Sequence, residues 1–378
     1  MSEEELLRKL VSIDSRFPNE KKLCIFVESF LKKHGFTTKR DYISKDRFNL
    51  LAEKGTGNKP TLFYGHLDTV PLYGKWKSDP FKIKQVGDKL YGLGTHDMKA
   101  GVAAILESTK DFKGHVKLLF CVDEENISEG AWSASKKYKS WFKDVKAIIA
   151  AEAGVTDQNE GGIDIITLGR RGRCVVTIDV VGRSSHGAEP ERGISALDQA
   201  AKIAINISRI PLTKHTKLGS ESIFVRSIRS DSTSLSVPES ASLDLDMHLV
   251  PPNTSAKAKV RIEEYISGLV HAGILNQQTK MDVYIQKRKT PYLEPYITEE
   301  GDNYLKEVVS LVRKHSTNSI TFSYGMSVAD ENVFANMFNV PIITIGPAGG
   351  NEHSQNEWVS LSSLSQITNL FREIAAVR

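Results

Sequence analysis

The chain has 378 residues, of which 40% are hydrophobic and 25% charged, an ordinary composition for a globular protein with a large core. Its 50 basic and 46 acidic residues give a net charge of +4, and the basic residues form no long run, which argues against nucleic acid as a partner. Three widely separated cysteines predict neither a disulfide framework nor a thiolate zinc site. An acidic N-terminus and the lack of a long apolar run predict a cytoplasmic protein without a membrane partner.

The first part of the chain alternates predicted helices and strands. A capping box formed by Ser2 and Glu5 predicts a first helix, and an amphipathic helix is expected to begin near Asn19. The next predicted elements are a strand at 61–64, a helix at 98–111 and strands at 116–122 and 146–151. This alternation implies an α/β fold with a mostly parallel sheet, in which ligands gather beyond the carboxyl ends of the strands.

The pattern changes near Leu168. The elements that follow are predicted at 174–181, 194–207, 241–249 and 256–270. They fit the order β-α-β-β-α-β, which is typical of a small α+β domain with two helices on one face of an antiparallel sheet. We therefore expect residues 169–287 to form a domain that is inserted into the first one.

The strand predicted at 61–64 leads into the motif Gly65-His66-Leu67-Asp68-Thr69-Val70-Pro71. His66 and Asp68 are two residues apart, so they point to the same side at a strand end. We interpret His66 as a metal ligand and Asp68 as the carboxylate behind it that fixes the orientation of the ring. The alternative is a histidine that is simply hydrogen-bonded to its neighbour.

Two further acidic motifs occupy similar positions. Asp97 stands where a loop turns into a helix, and we interpret it as a bridging metal ligand, although a plain helix N-cap is the alternative. Asp123-Glu124-Glu125 follows a buried strand, and adjacent side chains diverge there. We assign Glu125 as a metal ligand and Glu124 as the general base, with a solvated acidic turn as the alternative.

The last candidate ligands are Glu152 and His353. Glu152 ends an apolar run, where a carboxylate needs a compensating partner such as a metal ion. His353 lies in a glycine-rich loop that allows a ligand to approach, although a surface histidine is the alternative. Because His353 would join ligands from the first part of the chain, residues 1–168 and 288–378 are expected to make one catalytic domain. This donor set fits two divalent cations and predicts a two-metal hydrolase.

Five motifs, in order and spread over the chain, resemble those of the co-catalytic zinc hydrolases that include succinyl-diaminopimelate desuccinylase, acetylornithine deacetylase and glutamate carboxypeptidase. The motifs lie at 65–71, 75–81, 92–101, 123–125 and 182–193. The resemblance implies two Zn²⁺ ions per chain, for which Co²⁺ can substitute. One ion would be held by His66, Asp97 and Glu152, and the other by Asp97, Glu125 and His353.

The same resemblance implies further features. The inserted domain would act as a lid and as the surface of a homodimer, and His186 would reach the partner's active site to polarise the scissile carbonyl. The peptide bond between Asp97 and Met98 is expected to be cis. Arg170 and Arg171 resemble the family's clamp for a substrate carboxylate, a group that arginine can bind in a bidentate manner.

The implied reaction is hydrolysis of the amide bond of a small N-acyl amino acid. A carboxypeptidase or dipeptidase that cleaves short peptides with the same site is the first alternative, and a catalytically inactive binding or scaffold protein is the second. Two departures bear on substrate choice, because Leu235 and His248 stand where relatives commonly carry Asn and Arg. The acyl group and the amine therefore stay open at this point.

Overall fold

The structure is a computed structural model that describes residues 1–57, 59–154, 161–230 and 235–377. Its α-helices are α1 (Glu3–Val11), α2 (Lys21–Lys33), α3 (Ala100–Thr109), α4 (Glu129–Lys137), α5 (Lys139–Phe142), α6 (Ala196–Asn206), α7 (Ser255–His271), α8 (Asn303–His315), α9 (Asp330–Met337) and α10 (Leu361–Ala376). Shorter helical turns occur at Thr95–Lys99, Pro190–Arg192 and Ile207–Arg209. Each helix in these described ranges is too short or too polar to traverse a lipid bilayer.

The strands of the N-terminal part are β1 (Thr37–Ser44), β2 (Arg47–Lys54), β3 (Thr61–His66), β4 (Lys84–Val86), β5 (Lys89–Tyr91), β6 (Val116–Cys121), β7 (Ala147–Ala150) and β8 (Ile165–Arg170). The middle of the chain adds β9 (Gly172–Val181), β10 (Lys214–His215), β11 (Gly219–Ser220), β12 (Ser222–Arg229), β13 (Ser240–Leu249) and β14 (Lys280–Ile285). The C-terminal part adds β15 (Tyr296–Ile297), β16 (Thr321–Gly325), β17 (Ile342–Thr344), β18 (Gly349–Gly350) and β19 (Trp358–Ser360).

The chain divides into two compact units. Unit 1 consists of Met1–Gly169, Ile297–Gly325 and Ala329–Arg378, and unit 2 consists of Arg170–Tyr296 and Met326–Val328. Unit 2 thus continues past residue 287, where the sequence pattern placed the limit of the inserted domain. It does so because Tyr292 packs into the hydrophobic core of unit 2 and Leu293 forms a β-bridge with Arg173.

The large sheet of unit 1 has the strand order β1-β2-β6-β3-β7-β17-β8-β15, with β16 beside β8. Its centre is parallel, since β6, β3, β7 and β17 pair in the same direction. The flanking pairs β1–β2, β2–β6 and β17–β8 are antiparallel. The predicted α/β class with a mostly parallel central sheet is confirmed, and its parallel strands all direct their carboxyl ends to one edge.

Helix α3 packs against this sheet without a solvent-facing side. Every residue of the helix except Glu107 is buried, which explains why its sequence is apolar all round. Gly101 permits the close approach, because a Cβ atom there would lie 1.9 Å from the carbonyl oxygen of Ala151. The helix therefore fixes the chain at the end of β7, next to Glu152.

A second, small sheet in unit 1 has the strand order β18-β19-β5-β4. Its pairs are antiparallel, with Trp358 opposite Tyr91 in β5 and opposite Gly350 in β18. The sequence did not predict this sheet, because strands of two or three residues are too short for an alternating pattern. It positions two loops of interest: the loop after β5 contains Asp97, and the loop between β18 and β19 contains His353.

Unit 2 contains an antiparallel sheet with the strand order β12-β13-β9-β14. Helices α6 and α7 contribute their buried residues to the same hydrophobic core as the sheet. Along the chain the elements run β9-α6-β12-β13-α7-β14, so the predicted β-α-β-β-α-β order is confirmed, with the short hairpin β10–β11 added to it.

Candidate metal centre

Two imidazole rings approach the same carboxylate from opposite ends of the chain. The Nε2 atom of His66 lies 2.9 Å from Oδ1 of Asp97, and Nε2 of His353 lies 3.2 Å from Oδ2 of Asp97. Each oxygen of this carboxylate therefore faces a different histidine. The arrangement is the one expected of a residue that can bridge two cations.

Two more carboxylates complete what we call the carboxylate–imidazole cluster, which consists of His66, Asp97, Glu125, Glu152 and His353. Oε2 of Glu125 lies 2.9 Å from Nε2 of His353, and Oε1 of Glu152 lies 3.8 Å from Nε2 of His66. Every member belongs to unit 1. The structure thus brings together the five residues for which the sequence predicted metal binding.

Asp97 is not the N-cap of the following helix. Helix α3 begins at Ala100 after the N-cap residue Lys99, and no side chain caps it. Asp97 lies instead in the turn Thr95–Lys99 with non-helical backbone angles, and its peptide bond to Met98 is cis, as the resemblance implied. The carboxylate is therefore available to the histidines rather than to the helix.

The orientation of the His66 ring is set by Asp68. Nδ1 of His66 lies 3.1 Å from the backbone carbonyl oxygen of Asp68, and 3.7 Å from its Oδ1. The carbonyl is the nearer acceptor, so it holds the Nδ1 proton and directs Nε2 towards Asp97. The Asp68 carboxylate also accepts a hydrogen bond of 3.0 Å from the backbone N–H of Glu125. Asp68 thereby contacts two neighbouring members of the cluster.

The turn that carries Glu124 and Glu125 is held by a buried ion network. Asp123 has a left-handed backbone, with φ of 76°, and its carboxylate accepts hydrogen bonds from Arg47 at 3.0 Å and from the N–H of Glu129 at 3.0 Å. Arg47 also binds the fully buried carboxylate of Glu20 with both Nε and Nη2. The sequence analysis did not identify this network, since it depends on partners from three separate segments.

The electrostatic environment raises the pKa of His353 and lowers the pKa of Asp97. Hydrogen bonds to Asp97 and Glu125 raise the pKa of His353 to about 11. Burial opposes ionisation of Asp97, but the hydrogen bonds from His353 and His66 hold its pKa far below the usual range. The carboxylates thus attract positive charge to this position, and the same attraction acts on a metal cation.

The surroundings of Glu124 disfavour its ionised form more than those of Asp97 do. Burial raises the pKa of Glu124 well above its usual range, and the negative charge of Glu152 adds to the shift. The residue as a whole is half-buried. A carboxyl group with a raised pKa is suited to accept a proton and to release it again.

The donor atoms fit metal ions. The ligand atoms of His66, Asp97 and Glu125 lie within 4.8 Å of one another, and ions at about 2.0–2.2 Å from nitrogen and oxygen ligands could be accommodated between such atoms. Oε1 of Glu125 and Oδ1 of Asp68 are buried without a hydrogen-bond partner among the described residues. Buried polar atoms in that state are costly unless a further group binds them.

Glu357 is a neighbour of the cluster that the sequence analysis did not identify. Its buried carboxylate accepts hydrogen bonds from the backbone N–H groups of Gly94, His96 and Asp97, at 2.6, 2.7 and 2.9 Å. Burial raises its pKa to about 7. The available signal was a lone glutamate just before the apolar pair Trp358-Val359, a place where an isolated charge needs partners.

Three predicted site residues belong to unit 2 and are not members of the cluster. His186 is exposed, and its Nδ1 accepts a hydrogen bond of 3.1 Å from the N–H of Ala188. Arg170 and Arg171 are both buried, and Nε of Arg171 donates to the carbonyl oxygen of Leu218 at 3.0 Å. At least one donor of the predicted clamp is therefore engaged by the protein itself.

Known proteins resemble this chain over nearly its whole length. Succinyl-diaminopimelate desuccinylase of Sulfurovum sp. (strain NBC37-1) is 27% identical over 380 residues, covering 98% of this chain and 97% of that protein. The protein of the same name from Rickettsia prowazekii (strain Madrid E) is 27% identical over 386 residues, covering 97% of both.

Solved structures share the fold. Aminopeptidase PepT from Bacillus cereus ATCC 10987 has a TM-score of 0.78 at 18% identity, with 99% of this chain and 98% of that chain covered. The Bacillus subtilis YXEP protein, described as a dinuclear metal binding peptidase from the M20 family, has a TM-score of 0.72 at 14% identity, with 99% and 96% covered.

The model of one protein family, described as Peptidase family M20/M25/M40, matches residues 62–376. This stretch includes all five members of the carboxylate–imidazole cluster and the inserted unit. The sequence motifs predicted a relationship to hydrolases of this kind, and that prediction is confirmed. Because the match covers most of its length, the chain belongs to Peptidase family M20/M25/M40.

Proposed function

We propose that this protein is a dinuclear zinc-dependent amidohydrolase that removes the acyl group from a small N-acyl amino acid. The observation that carries the proposal is the Asp97 carboxylate, whose two oxygens face His66 and His353 at 2.9 and 3.2 Å. The similarity to proteins named succinyl-diaminopimelate desuccinylase supports an acylated amino acid, and an N-succinyl group first among the candidates.

In this proposal Asp97 would be a ligand shared by two zinc ions. His66 and Glu152 would hold one ion, and Glu125 and His353 would hold the other, in keeping with the pairs of neighbours in the carboxylate–imidazole cluster. Imidazole and carboxylate ligands without thiolates suit Zn²⁺, and Co²⁺ should substitute for it. Asp68 orients His66 through its carbonyl oxygen and holds the backbone of Glu125 through its carboxylate.

When bound, the two ions polarise the scissile carbonyl and lower the pKa of a water molecule toward about 7. Glu124 removes a proton from the attacking water, and the resulting hydroxide adds to the carbonyl carbon. Glu124 then gives the proton to the leaving nitrogen as the C–N bond breaks. The products are a free carboxylate and a free amine, so the reaction needs no other reactant.

The inserted domain, placed at 169–287 by the sequence, is proposed to be both lid and dimerisation surface. Strand β12 supports this role, because it is an edge strand of the unit 2 sheet and exposes Phe224 and Ile228. In a homodimer His186 would reach the partner's site and stabilise the oxyanion. The exposure of its ring is compatible with such a contact.

Arg170 and Arg171 are proposed to bind the substrate carboxylate. The planar guanidinium of an arginine can bind a carboxylate in a bidentate manner, and Arg171 is held in place by the hydrogen bond from its Nε to the carbonyl oxygen of Leu218. His248 stands where relatives commonly carry Arg, and burial lowers its pKa. A neutral histidine binds a carboxylate more weakly than an arginine would. In this proposal, Arg170 and Arg171 therefore provide the main contacts to the substrate carboxylate.

We place the enzyme in the cytoplasm. Cys24, Cys121 and Cys174 are all buried free thiols, a state that is typical of reducing compartments. The substrate is proposed to be a small molecule, and neither nucleic acid nor a membrane is expected as a partner.

A substrate panel with metal analysis tests the proposal. The purified protein should contain about two zinc-like ions per chain and should hydrolyse N-succinyl or N-acetyl amino acids, with activity lost to a chelator and restored by Zn²⁺ or Co²⁺. Faster cleavage of dipeptides than of acylated amino acids would instead identify a peptidase that uses the same site. A protein that holds no metal and does not respond to added zinc or cobalt would be the inactive scaffold.

A further inference from the structure

We propose that Glu357 is a positioning residue that holds the loop of Asp97 in place, so that both oxygens of Asp97 can meet their partners. The inference rests on the proposed metal centre, but it concerns a residue that binds no metal itself. Among the described residues, the Glu357 carboxylate accepts hydrogen bonds from the backbone of this loop and not from the side chains of the carboxylate–imidazole cluster.

Glu357 accepts four backbone N–H groups from one short loop. Its Oε1 accepts from His96 and Asp97, its Oε2 accepts from Gly94, and its backbone carbonyl accepts from Gly92 at 3.0 Å. Hydrogen bonds to an ionised acceptor are stronger than neutral ones. Glu357 thus binds both ends of the loop, at Gly92 and at Asp97.

The strand register explains why Glu357 reaches this loop. Trp358 pairs with Tyr91 in the β19–β5 ladder, so Glu357 comes opposite the residues that follow β5. Gly94 allows the loop to turn between β5 and Asp97, because its φ is 73° and a Cβ atom there would lie 2.6 Å from the side chain of Thr69. The small sheet therefore aligns the carboxylate with the loop.

The same strand also determines the position of His353. The loop between β18 and β19 contains His353 and ends at Glu357, which lies four residues further along. Glu357 consequently joins the loop of Asp97 to the loop of His353. A loss of its hydrogen bonds should disturb the 3.2 Å approach between these two side chains.

The burial of Glu357 indicates that its carboxylate is needed at this position. Glu357 is only 2% exposed, and burying a carboxylate costs free energy unless it has partners. The ammonium group of Lys99, which is also buried, interacts electrostatically with Glu357 and donates to the carbonyl oxygen of Ile13. A glutamine could not replace Glu357, because its amide nitrogen would face an N–H group on one side of the loop.

The test compares Glu357→Gln with the control Asp88→Asn. Asp88 is also a carboxylate that accepts a backbone N–H, from Ser362 at 2.9 Å, and its hydrogen bonds go to the first turn of helix α10. Zinc affinity by competition with a chelating dye, the visible absorption of the Co²⁺-loaded protein, the melting temperature, kcat and KM are measured for each variant.

We expect Glu357→Gln to weaken zinc binding by about 10–100-fold and to change the Co²⁺ absorption, as loss of groups that orient metal ligands does. Its kcat should fall by about 10-fold or more, while KM changes by less than about 3-fold. Asp88→Asn should lower the melting temperature with zinc affinity and Co²⁺ absorption unchanged. Unaltered zinc affinity and absorption in Glu357→Gln, with only a lower melting temperature, would overturn the proposal.

If Glu357→Gln does not fold, two further measurements still test the positioning role of Glu357. Glu357→Asp keeps the charge but shortens the side chain, and it should show an intermediate loss of zinc affinity. In the unmodified protein without metal, the amide protons of Gly94, His96 and Asp97 should exchange slowly with solvent, and rapid exchange would contradict the proposal. An unmodified protein that binds zinc but hydrolyses no acylated amino acid would refute the proposed function alone, since these metal and exchange readouts do not need turnover.

Discussion

Two acidic side chains of the candidate centre show how environment separates the roles of one chemical group. Asp97 is kept ionised by hydrogen bonds from two histidines, whereas burial and the charge of Glu152 raise the pKa of Glu124 and so its affinity for a proton. Carboxyl groups with such divergent proton affinities are typical of sites in which one binds a cation and another moves protons. The assignment of Asp97 as ligand and Glu124 as base follows this division.

Replacement of Glu124 tests that division. Glu124→Ala should reduce kcat by about 10² or more, because general-base catalysis is lost, while the metal content stays close to that of the unmodified protein. Steady-state kinetics and mass spectrometry of bound metal measure the two quantities on the same preparation. A variant that loses metal in proportion to its activity would make Glu124 a ligand instead.

Single residues of the site were predictable from the sequence to different degrees. His66, Asp97 and Glu152 stand out because polar side chains at strand ends or loop ends interrupt apolar runs. Their convergence with His353 was not derivable from spacing, since it depends on the small sheet. Glu357 went unnoticed for a related reason: its partners are backbone N–H groups of residues that lie more than 250 positions earlier, and no residue type signals them.

At the scale of elements, length decided what the sequence could predict. Helices α1 and α7 and strands β9 and β13 are long enough to display a clear apolar pattern, and the structure contains all four. The strands β5, β18 and β19 have only two or three residues, so their pairing depends on tertiary contacts. These short strands nevertheless hold the loops of the candidate centre.

The contact between α3 and the end of β7 can be tested with a glycine pair. Gly101→Ala places a methyl group 1.9 Å from the carbonyl oxygen of Ala151 and should lower the free energy of unfolding by about 2–4 kcal/mol. Gly268→Ala is the matched control in helix α7, where nothing lies within 4 Å, and it should stabilise by about 0.5–1 kcal/mol. Urea denaturation measures both, and equal stability of the two variants would contradict the tight contact.

Helix α2 is tied to strand β1 through an ion pair whose effect depends on pH. Burial opposes ionisation of Glu28, but hydrogen bonds from Arg40 and Lys32 outweigh it and lower its pKa from 4.5. A carboxyl group with a depressed folded-state pKa stabilises above its unfolded pKa and loses this contribution as the pH falls through the folded value. Stability from Glu28 is thus complete at neutral pH.

Glu28→Gln should therefore reduce the free energy of unfolding by about 1–2 kcal/mol near neutral pH, with a smaller difference below about pH 4. Denaturant titrations at several pH values measure this change. Glu4→Gln serves as the control, because Glu4 forms an exposed pair with Arg8 and its loss should cost less than about 0.5 kcal/mol. A difference that is constant with pH would contradict the role given to the charge of Glu28.

For the molecule as a whole, the proposed role of His186 requires a homodimer, and this can be tested. Sedimentation should give a species of about twice the 42.0 kDa chain mass. His186→Ala should lower kcat without changing that mass, because the ring would act in the neighbouring subunit and not in the contact that joins the two. A fully active protein that sediments only as a monomer would contradict the assignment.

The strand order of unit 1 also has a consequence for synthesis. β17 lies between β7 and β8, so the sheet has a gap until Ile342–Thr344 have left the ribosome. A nascent chain that stops before β17 therefore exposes unpaired strand edges and lacks His353, a member of the carboxylate–imidazole cluster. Such fragments should be prone to aggregate and to be degraded, and metal ions should be bound tightly only after His353 has left the ribosome.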